Sequence, residues 1–290
     1  MRATSFARLA LAAALLAPAT AQAQFSAPSY LLSELFENVN VNQHAFTMAK
    51  NGLGYWVGDG GGSDGERLFY YDLSGSSVAN YSPGLDFRSV FSNAAGDLFA
   101  RSYADNVIYK MGAPGIFAAY VTLVGGTLNP QSNVVLDDVG SEYISMSEGL
   151  VSRWDLAGNF LGSTSLVGFG GVEAGYPQDR GIVSVGGKWL SYDGFGGLSM
   201  WDASTGVRLG IATLLGAGSS FDARFSLSYT GGKVWIVDAS GAEYYWRGFD
   251  IGFAAPSVSA VPEPASLALM ATGLLGIAFV GRPKKKQPVA

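Results

Sequence analysis

Cysteine is absent from this chain, and histidine occurs only once, at His44. Without thiols the protein has no disulfides, no cysteine-ligated metal and no thiol nucleophile. A zinc site would have at most one imidazole ligand, and a serine–histidine–aspartate triad would have to use His44. There is also no phosphate-binding glycine loop that ends in lysine followed by serine or threonine. These absences exclude several common catalytic and cofactor chemistries.

Charged residues are scarce as well, at 14% of the chain, whereas apolar residues make up 48%. That apolar content is too high for a disordered chain. The 40 glycines, 14 tyrosines and six tryptophans indicate many short strands joined by tight turns. The composition therefore favours an all-β protein.

The N-terminus has the layout of a secretory signal peptide. Its parts are a positively charged start, a short apolar stretch and a small-x-small cleavage site: Arg2 and Arg8, Leu9 to Ala17, and Ala21 with Ala23. We expect residues 1–23 to be removed during export, so that the mature chain begins at Gln24.

The C-terminus carries a second targeting signal with three consecutive parts. They are a Pro-Glu-Pro motif, an apolar run and a basic end: Val261, Pro262, Glu263 and Pro264; Ala265 to Gly281; and Arg282, Lys284, Lys285 and Lys286. As a helix, the apolar run would be about 25 Å long, at the short end of what spans a bilayer. The prolines keep the motif extended outside that helix, and the basic end favours the cytoplasmic side. The tail predicts one C-terminal transmembrane helix with the bulk of the chain outside.

This tail, residues 261–290, resembles the PEP-CTERM sorting tail of Gram-negative bacteria. It departs slightly from that family in its basic cluster, which is mostly lysine where arginine is commoner. The resemblance implies that an exosortase, a membrane protease, recognises the Pro-Glu-Pro motif and removes the tail. The protein would then be released or re-anchored at the cell surface or outside the cell. Family members are associated with exopolysaccharide-producing bacteria, so the resemblance also implies an extracellular polysaccharide as a partner.

Between the two signals the chain is strongly acidic. Removing both ends takes away six of the 18 basic residues and one of the 23 acidic residues, which leaves a net charge of −10. Such a surface repels nucleic acid and anionic lipid. Neutral glycans, cations and other proteins are therefore the more favourable partners.

A repeat of about 45 residues runs through this acidic region. It is aligned on a glycine before each aromatic or apolar strand, with spacings of 42, 44, 47 and 45 residues. The aligned residues are Gly54, Gly96, Gly140, Gly187 and Gly232. Four short strands per unit at this period are typical of β-propeller blades.

Three units end their third strand on an aromatic residue followed by aspartate and, soon after, glycine. These endings are Tyr71-Asp72, Trp154-Asp155 and Trp201-Asp202. The Trp-Asp pair resembles the ending of WD-type propeller blades, although no copy has the complete WD40 signature. We interpret the aspartate as structural, because its carboxylate can accept backbone N–H groups in the turn while the glycine supplies a positive φ.

These patterns predict a β-propeller of five four-stranded blades over residues 24–253. Ser29 to Val39 holds no unit of its own, and we expect it to close the ring as a strand added to the last blade near Tyr244 to Ile251. Residues 254–260 form a short tether to the tail. A pair of sandwiches and a six-bladed ring with one cryptic blade are the alternatives.

Function in a propeller is expected at the mouth of the central channel, on the loops that enter the innermost strands. One polar residue per repeat precedes these strands: His44, Arg88, Asn133, Arg180 and Arg224, at spacings of 44, 45, 47 and 44 residues. An acid stands just before each of the three arginines, at Asp86, Asp179 and Asp222. These residues form either a ligand rim suited to sugar hydroxyls or an acidic sugar, or Asp–Arg pairs that lock neighbouring blades, which we favour.

A glycine-rich stretch in the first unit, Gly58 to Glu66, holds the carboxylates Asp59, Asp64 and Glu66. Carboxylate oxygens can ligate Ca²⁺, but the spacing fits neither an EF-hand nor the nonapeptide calcium repeat. We interpret this stretch as a hairpin tip, and we predict no cofactor, no metal site and no catalytic residue.

The sequence thus favours an exported, non-enzymatic surface or matrix protein whose propeller acts as a binding or scaffold module. One alternative is a secreted glycan-active enzyme that uses Asp86, Asp179 and Asp222 around the channel. The arginine beside each carboxylate would keep it ionised, which suits a nucleophile or base better than a general acid. Another alternative is a single-pass receptor retained in the membrane by its C-terminal helix.

Overall fold

The structure is a computed structural model that describes residues 34–37, 45–60, 66–103, 105–137, 141–170, 181–193, 196–214, 227–238 and 245–251. These residues form five four-stranded antiparallel sheets. No helix within these ranges is long and apolar enough to cross a bilayer. The signal peptide, the tether, the sorting tail and its predicted transmembrane helix lie outside the described residues.

The first strand of the chain, β1 (Glu34–Glu37), belongs to the last blade. Blades 1 and 2 follow it, and each pairs its strands in chain order from the innermost to the outermost. Blade 1 contains β2 (Ala45–Asn51), β3 (Gly54–Asp59), β4 (Leu68–Asp72) and β5 (Ser77–Tyr81). Blade 2 contains β6 (Phe87–Ser92), β7 (Leu98–Ser102), β8 (Val107–Ala113) and β9 (Ile116–Thr122).

Blades 3 and 4 repeat this order. Blade 3 contains β10 (Val135–Leu136), β11 (Glu142–Ser147), β12 (Leu150–Asp155) and β13 (Phe160–Ser165). Blade 4 contains β14 (Ile182–Val185), β15 (Lys188–Tyr192), β16 (Gly197–Asp202) and β17 (Arg208–Thr213). The expected fourth strands, after the Trp-Asp turns, are therefore present as β13 and β17.

Blade 5 is assembled from both ends of the propeller region. It contains β18 (Ser228–Thr230), β19 (Lys233–Asp238) and β20 (Tyr245–Asp250), with β1 as its outermost strand. β1 pairs antiparallel to β20, with Glu34 opposite Gly248 and Glu37 opposite Tyr245. This arrangement confirms the expected ring closure and the five-bladed count, and it excludes the sandwich pair and the six-bladed ring.

The apolar cores lie between neighbouring blades. Trp56 and Leu68 of blade 1 pack with Phe87 and Val90 of blade 2 in one buried cluster. On the opposite face of blade 1, Tyr55, Val57 and Tyr71 pack with Trp235 and Trp246 of blade 5. Consecutive residues of a strand point to opposite faces, so β3 is buried along its whole length. The large aromatic content of the sequence is therefore used to fill the space between sheets.

The aspartate turns have the predicted structural role. The Asp155 carboxylate accepts backbone N–H groups of Ala157 at 2.9 Å and Asn159 at 2.8 Å. Asp72 accepts the N–H groups of Ser74 and Ser76, and Asp202 accepts those of Ser204 and Thr205. Gly158 has a φ of +88°, which disfavours any residue with a Cβ at this position. In each case the carboxylate satisfies a tight turn within five residues of itself.

The same turn also joins blade 3 to blade 2. The Val124 N–H donates to the Gly158 carbonyl at 2.8 Å, and the Trp154 indole N–H donates to the Gly125 carbonyl at 3.1 Å. A Cβ on Gly158 would collide with the carbonyl of Thr122. The Trp-Asp sequence therefore holds its own turn and fastens it to the preceding blade.

Candidate functional site: the entry end of the ring

We call the end at which the chain enters each innermost strand the entry end, and the opposite end, with the Asp72, Asp155 and Asp202 turns, the turn end. The entry end also carries the connection between the second and third strands of each blade. Blade 2 shows this layout, since the Tyr103 N–H after β7 donates to the Asp86 carbonyl before β6 at 2.7 Å. The predicted rim residues precede the innermost strands and therefore belong to this end.

Arg88 occupies a β-bulge in its strand. The pairing of β6 with β7 shifts between Phe87 and Ser89, so Arg88 is the extra residue, and the pairing of β2 with β3 shifts in the same place, around residue 46. A bulge re-aims the side chain of its extra residue. Arg88 therefore corresponds in blade 1 to position 46 and not to His44.

The Arg88 guanidinium is buried, with only 4% of its side chain exposed, and is bonded on several sides. Nη1 donates to Asp86 Oδ1 at 2.5 Å and Nη2 donates to Asp86 Oδ2 at 3.3 Å, which makes a two-point ion pair. Nε donates to Gln131 Oε1 at 2.7 Å on the connection into blade 3. The guanidinium also lies 4.7 Å from the Tyr103 ring centroid.

Arg101, on β7, is a second buried arginine at the same end and is 1% exposed. Its Nη1 donates to the carbonyls of Ser132 at 2.5 Å and Pro130 at 3.1 Å, and its Nε donates to the Asp105 carbonyl at 2.8 Å. Burial, and then the neighbouring Arg88 charge, lower the pKa of Arg101 to about 10. Arg101 is still protonated at neutral pH, and it binds the connection between blades 2 and 3 to blade 2.

Asn133 makes a direct link from blade 3 to blade 4. It is 2% exposed, its Nδ2 donates to the Ile182 carbonyl at 2.9 Å, and its Oδ1 accepts the Ile182 N–H at 3.1 Å. Three hydroxyls accept a backbone N–H of the neighbouring blade at other interfaces. Thr47 accepts the Val90 N–H at 2.5 Å, Ser89 accepts the Val134 N–H at 3.3 Å, and Ser228 accepts the Met48 N–H at 2.7 Å.

The predicted rim is thus composed of residues with different structural positions. Asn133 corresponds to Thr47 and Ser89, which link successive blades, whereas Arg88 stands one residue earlier on a bulge. The prediction that Arg88 and Asn133 occupy equivalent positions in their blades is therefore wrong. His44, Arg180 and Arg224, with Asp179 and Asp222, lie outside the described residues, and a ligand role for the rim stays a prediction.

The central channel is narrow. The innermost strands of all five blades line a cavity of about 50 Å³, with apolar residues such as Val90 and Val183 and the hydroxyls of Ser184, Ser228 and Thr230. A buried water needs about 10–15 Å³ of such space. The cavity therefore has room for a few waters, and a sugar ring would have to bind outside it.

Gly60, in the glycine-rich stretch of blade 1, lies against the Arg88 pair. Gly60 has no room for a side chain, because a Cβ there would lie 2.5 Å from Arg88 Nη1 and 2.7 Å from Asp86 Oδ1. Residues 61–65, including Asp64, lie outside the described part of the chain. Within the described part, no group of three or more acidic or histidine side chains is arranged to hold a metal ion.

The described entry end has the chemistry of a structural joint. Its cations and amides are engaged with carboxylates and carbonyls across blade interfaces, and Asp86 is held in a two-point pair by Arg88. Arg101 and Gln131, which complete this joint, were not among the predicted site residues. A buried arginine in an otherwise apolar strand was the only signal for Arg101, and no local signal marked Gln131.

The fold and the tail together define the class of this protein, a β-propeller with a C-terminal sorting signal. The model of the PEP-CTERM protein-sorting motif matches residues 260–285. The chain therefore carries this motif, in agreement with the resemblance of its tail, and the motif implies export and a cell-surface or extracellular location. A comparison with curated proteins found no match.

Similarity to one solved structure supports the propeller fold. The glutaminyl cyclase of Myxococcus xanthus aligns with a TM-score of 0.53 at 9% identity, over 76% of this chain and 97% of the cyclase. A protein of unknown function from Bacteroides caccae aligns with a TM-score of 0.44 at 12% identity, over 68% and 71% of the two chains. At 9% identity, the similarity to the cyclase shows a common fold and leaves the activity of this chain open.

Proposed function

We propose that this protein is displayed outside the cell as a binding or scaffold module, after an exosortase has processed its C-terminal tail. The observation that carries the proposal is the PEP-CTERM match at residues 260–285. The signal-peptide layout of residues 1–23 supports export at the other end of the chain. The module that reaches the outside is the five-bladed ring.

The tail has a role that follows from its chemistry. Pro262, Glu263 and Pro264 form an extended motif next to the membrane, where a membrane protease can reach it. Ala265 to Gly281 is apolar, and the basic residues that follow it hold its end on the cytoplasmic side. The tail therefore retains the ring at the membrane until the chain is cleaved near the motif.

The partner we propose for the ring is an extracellular polysaccharide. The net charge of −10 between the two signals disfavours polyanions, and an uncharged glycan is compatible with it. The ring is rigid because buried side chains tie its blades together, so it can present a fixed surface to a polymer. Association of PEP-CTERM proteins with exopolysaccharide producers supports this choice of partner.

Binding is favoured over catalysis by the state of the described carboxylates. A glycosidase needs a general acid and a nucleophile or base on either side of the scissile bond. Asp86 is engaged by Arg88 at 2.5 Å, and the central cavity of about 50 Å³ is too small for a sugar ring. The enzyme alternative would have to rely on Asp179 and Asp222.

Processing is tested by expressing the full chain, with and without Pro262→Ala/Glu263→Ala, in a host that has an exosortase. We expect the wild type to be recovered outside the cell without its C-terminal peptide, as measured by intact mass. The variant should stay in the membrane fraction with the peptide intact. Pro256→Ala, in the predicted tether, is the matched control and should be processed normally. A wild type that keeps its tail on the mature protein would support the receptor alternative.

Binding is tested by co-sedimentation of the processed extracellular protein with the polysaccharide of the same cells. We expect the protein to pellet with the polymer and to stay in the supernatant without it. Hydrolysis of a chromogenic glycoside that is abolished by Asp222→Asn would instead establish the enzyme alternative. Arg88 is unsuitable for such binding tests, since its replacement also removes a joint between blades.

A further inference from the structure

A surface patch between blades 2 and 3 has features that the fold does not require. We call it the tyrosine patch, and it consists of Asp97 just before β7, Phe99 on β7, Lys110 on β8, Tyr120 on β9 and Tyr143 on β11. Four of these residues belong to blade 2, and Tyr143 belongs to blade 3. The patch is separate from the buried joints of the entry end.

Tyr120 is presented by a bulge that interrupts the pattern of the other blades. In blades 1, 3 and 4 the outermost strand has its extra residue beside the aromatic residue that precedes the turn aspartate. These aromatic residues are Tyr71, Trp154 and Trp201. In blade 2, Val121 pairs with Ile108 and Ala119 pairs with Tyr109, so Tyr120 itself is the extra residue. The bulge turns this side chain outward, and Tyr120 is 53% exposed.

The exposed ring is held by a row of aromatic side chains. Tyr120 lies 5.4 Å from Phe99, Phe99 stacks on Phe91 at 5.5 Å, and Phe91 meets Tyr143 edge to face at 6.2 Å. These are favourable aromatic contact distances. Phe91, Phe99 and Tyr143 are buried, so Tyr120 is the accessible end of an otherwise fixed row.

The hydroxyl of Tyr143 has an unused hydrogen-bonding capacity. Tyr143 is 2% exposed, and none of the described residues makes a hydrogen bond to its hydroxyl. Burial, and then the proximity of the Tyr120 phenol, raises the pKa of Tyr143 to about 12. A hydroxyl that bonds none of the described residues can donate a hydrogen bond to a ligand and accept one from it.

Charged groups beside the Tyr120 ring compensate one another. Lys110 Nζ donates to Asp97 Oδ2 at 2.8 Å and lies 5.8 Å from the Tyr120 ring centroid. Asp97 Oδ2 also accepts the Asn93 side-chain amide at 3.1 Å. The local net charge is therefore close to zero, while donors and an acceptor stand next to an exposed aromatic face.

We propose that the tyrosine patch binds a sugar ring of a neutral hexose polysaccharide. Tyr120 stacks on the apolar face of the ring, the Asp97–Lys110 pair bonds its hydroxyls, and the Tyr143 hydroxyl gains a partner. This inference rests on the proposed function and gives it a site. A neutral sugar fits better than an acidic one, because Lys110, the cation of the patch, is already paired with Asp97, and the net charge of −10 between the two signals disfavours an anion.

The test is affinity electrophoresis of the full chain in lauryldimethylamine oxide micelles, a detergent without a sugar headgroup. The gels contain dextran, hydroxyethylcellulose or polygalacturonate. We expect a neutral polymer to retard the wild type and polygalacturonate to have no effect. Tyr120→Ala should weaken the affinity about tenfold through the loss of stacking. Tyr120→Phe should keep the affinity. Ile116→Ala, at an exposed position on the same strand, is the matched control and should also keep it.

Tyr143→Phe separates ligand binding from folding. If the hydroxyl has no part in binding, its removal leaves both the glycan affinity and the melting temperature unchanged. If it bonds the sugar, the melting temperature is kept while the affinity falls about threefold or more. Equal retardation of the wild type, Tyr120→Ala and Tyr143→Phe would place the glycan elsewhere and overturn this site alone.

Failure of the proposed function would be visible separately. A wild type that neither co-sediments with the cellular polysaccharide nor is retarded in any gel would overturn both the site and the glycan partner. Retardation by soluble polyproline and not by the neutral glycans, again lost in Tyr120→Ala, would overturn the sugar assignment in favour of an extended peptide.

Discussion

The two ends of the ring use aspartate in opposite ways. At the turn end, Asp72, Asp155 and Asp202 are partly exposed in their turns and bond groups within five residues of themselves. At the entry end, Asp86 is paired with the buried Arg88, which in turn bonds Gln131 of the connection into the next blade. The turn aspartates act within their own turns, whereas the Asp86–Arg88 pair is part of a joint between blades.

This difference separates local stability from the integrity of the ring. A turn carboxylate can be lost without exposing a buried group, because water replaces its bonds. A buried joint cannot be lost in this way, since its partners stay desolvated. The entry end should therefore be the more sensitive to substitution, although the turn end carries the more recognisable sequence pattern.

The largest effect is expected for Arg88→Ala. It leaves Asp86 partly buried without its guanidinium partner and disconnects Gln131, at a cost of about 3 kcal/mol in the free energy of unfolding. Urea denaturation measures this cost. Arg153→Ala is the control, because its pair with Glu142 at 3.4 Å is partly exposed and should contribute less than about 1 kcal/mol. Equal losses in the two variants would contradict the contrast between the ends.

Thr47→Val should have the next largest effect. Valine keeps the shape of threonine but cannot accept the Val90 N–H, so a buried donor at the interface of blades 1 and 2 loses its partner. We expect a loss of about 2 kcal/mol in the free energy of unfolding. Thr122→Val makes the same change on an exposed outer strand and should be nearly neutral. A neutral Thr47→Val would show that this bond is not needed for ring closure.

Acid should act mainly on the turn end. Side-chain hydrogen bonds lower the pKa of all three turn aspartates. Ser74 bonds Asp72, Asn159 bonds Asp155, and Ser204 bonds Asp202. A lowered pKa in the folded state adds stability above the unfolded value of about 4, and this stability is lost as pH falls through the folded value. We expect the urea concentration at the midpoint of unfolding to decrease when the pH is lowered below about 4. This decrease should be smaller in the Asp72/Asp155/Asp202→Asn variant. In Asp250→Asn, a control at an exposed strand end, it should be the same as in the wild type.

Alkali should act on the entry end, with a smaller effect. A hydrogen bond to Asp105 at 2.5 Å, followed by burial, raises the pKa of Tyr109 to about 12. Stability from this bond is complete below the ordinary tyrosine value of about 10 and is lost as pH rises through the folded value. Tyr109→Phe and Asp105→Asn should therefore both reduce the loss of stability between about pH 10 and 12. An unchanged alkaline profile in both variants would exclude this contribution.

Much of the fold could be predicted from local patterns. The spacing of the turn glycines predicted the blade period, and the strand endings at Trp154 and Trp201 predicted the turns that follow them. These features depend on strand periodicity and on bonds within a few residues, which a sequence displays directly. The closing strand was expected because its segment had no repeat of its own.

The candidate site was predicted less well, for a physical reason. Counting residues along the repeat aligned His44, Arg88 and Asn133, but β2 and β6 each contain an extra bulge residue, and the structure aligns Arg88 with position 46 and Ser89 with Asn133. A single extra residue changes which side chain faces the next blade. The tyrosine patch was missed for the same reason, because it depends on a bulge at Tyr120 that spacing does not reveal.

The sequence by itself determined that this protein carries a PEP-CTERM sorting motif and that its body is built from repeated four-stranded units. Both are contiguous signals, since a protease reads a linear motif and a blade folds from neighbouring strands. Only the tertiary structure decided which side chains tie one blade to the next and which remain available at the surface. Those contacts join residues about one repeat apart, or, for Met48 and Ser228, 180 residues apart. Their pairing is set by bulges and by the packing of neighbouring sheets.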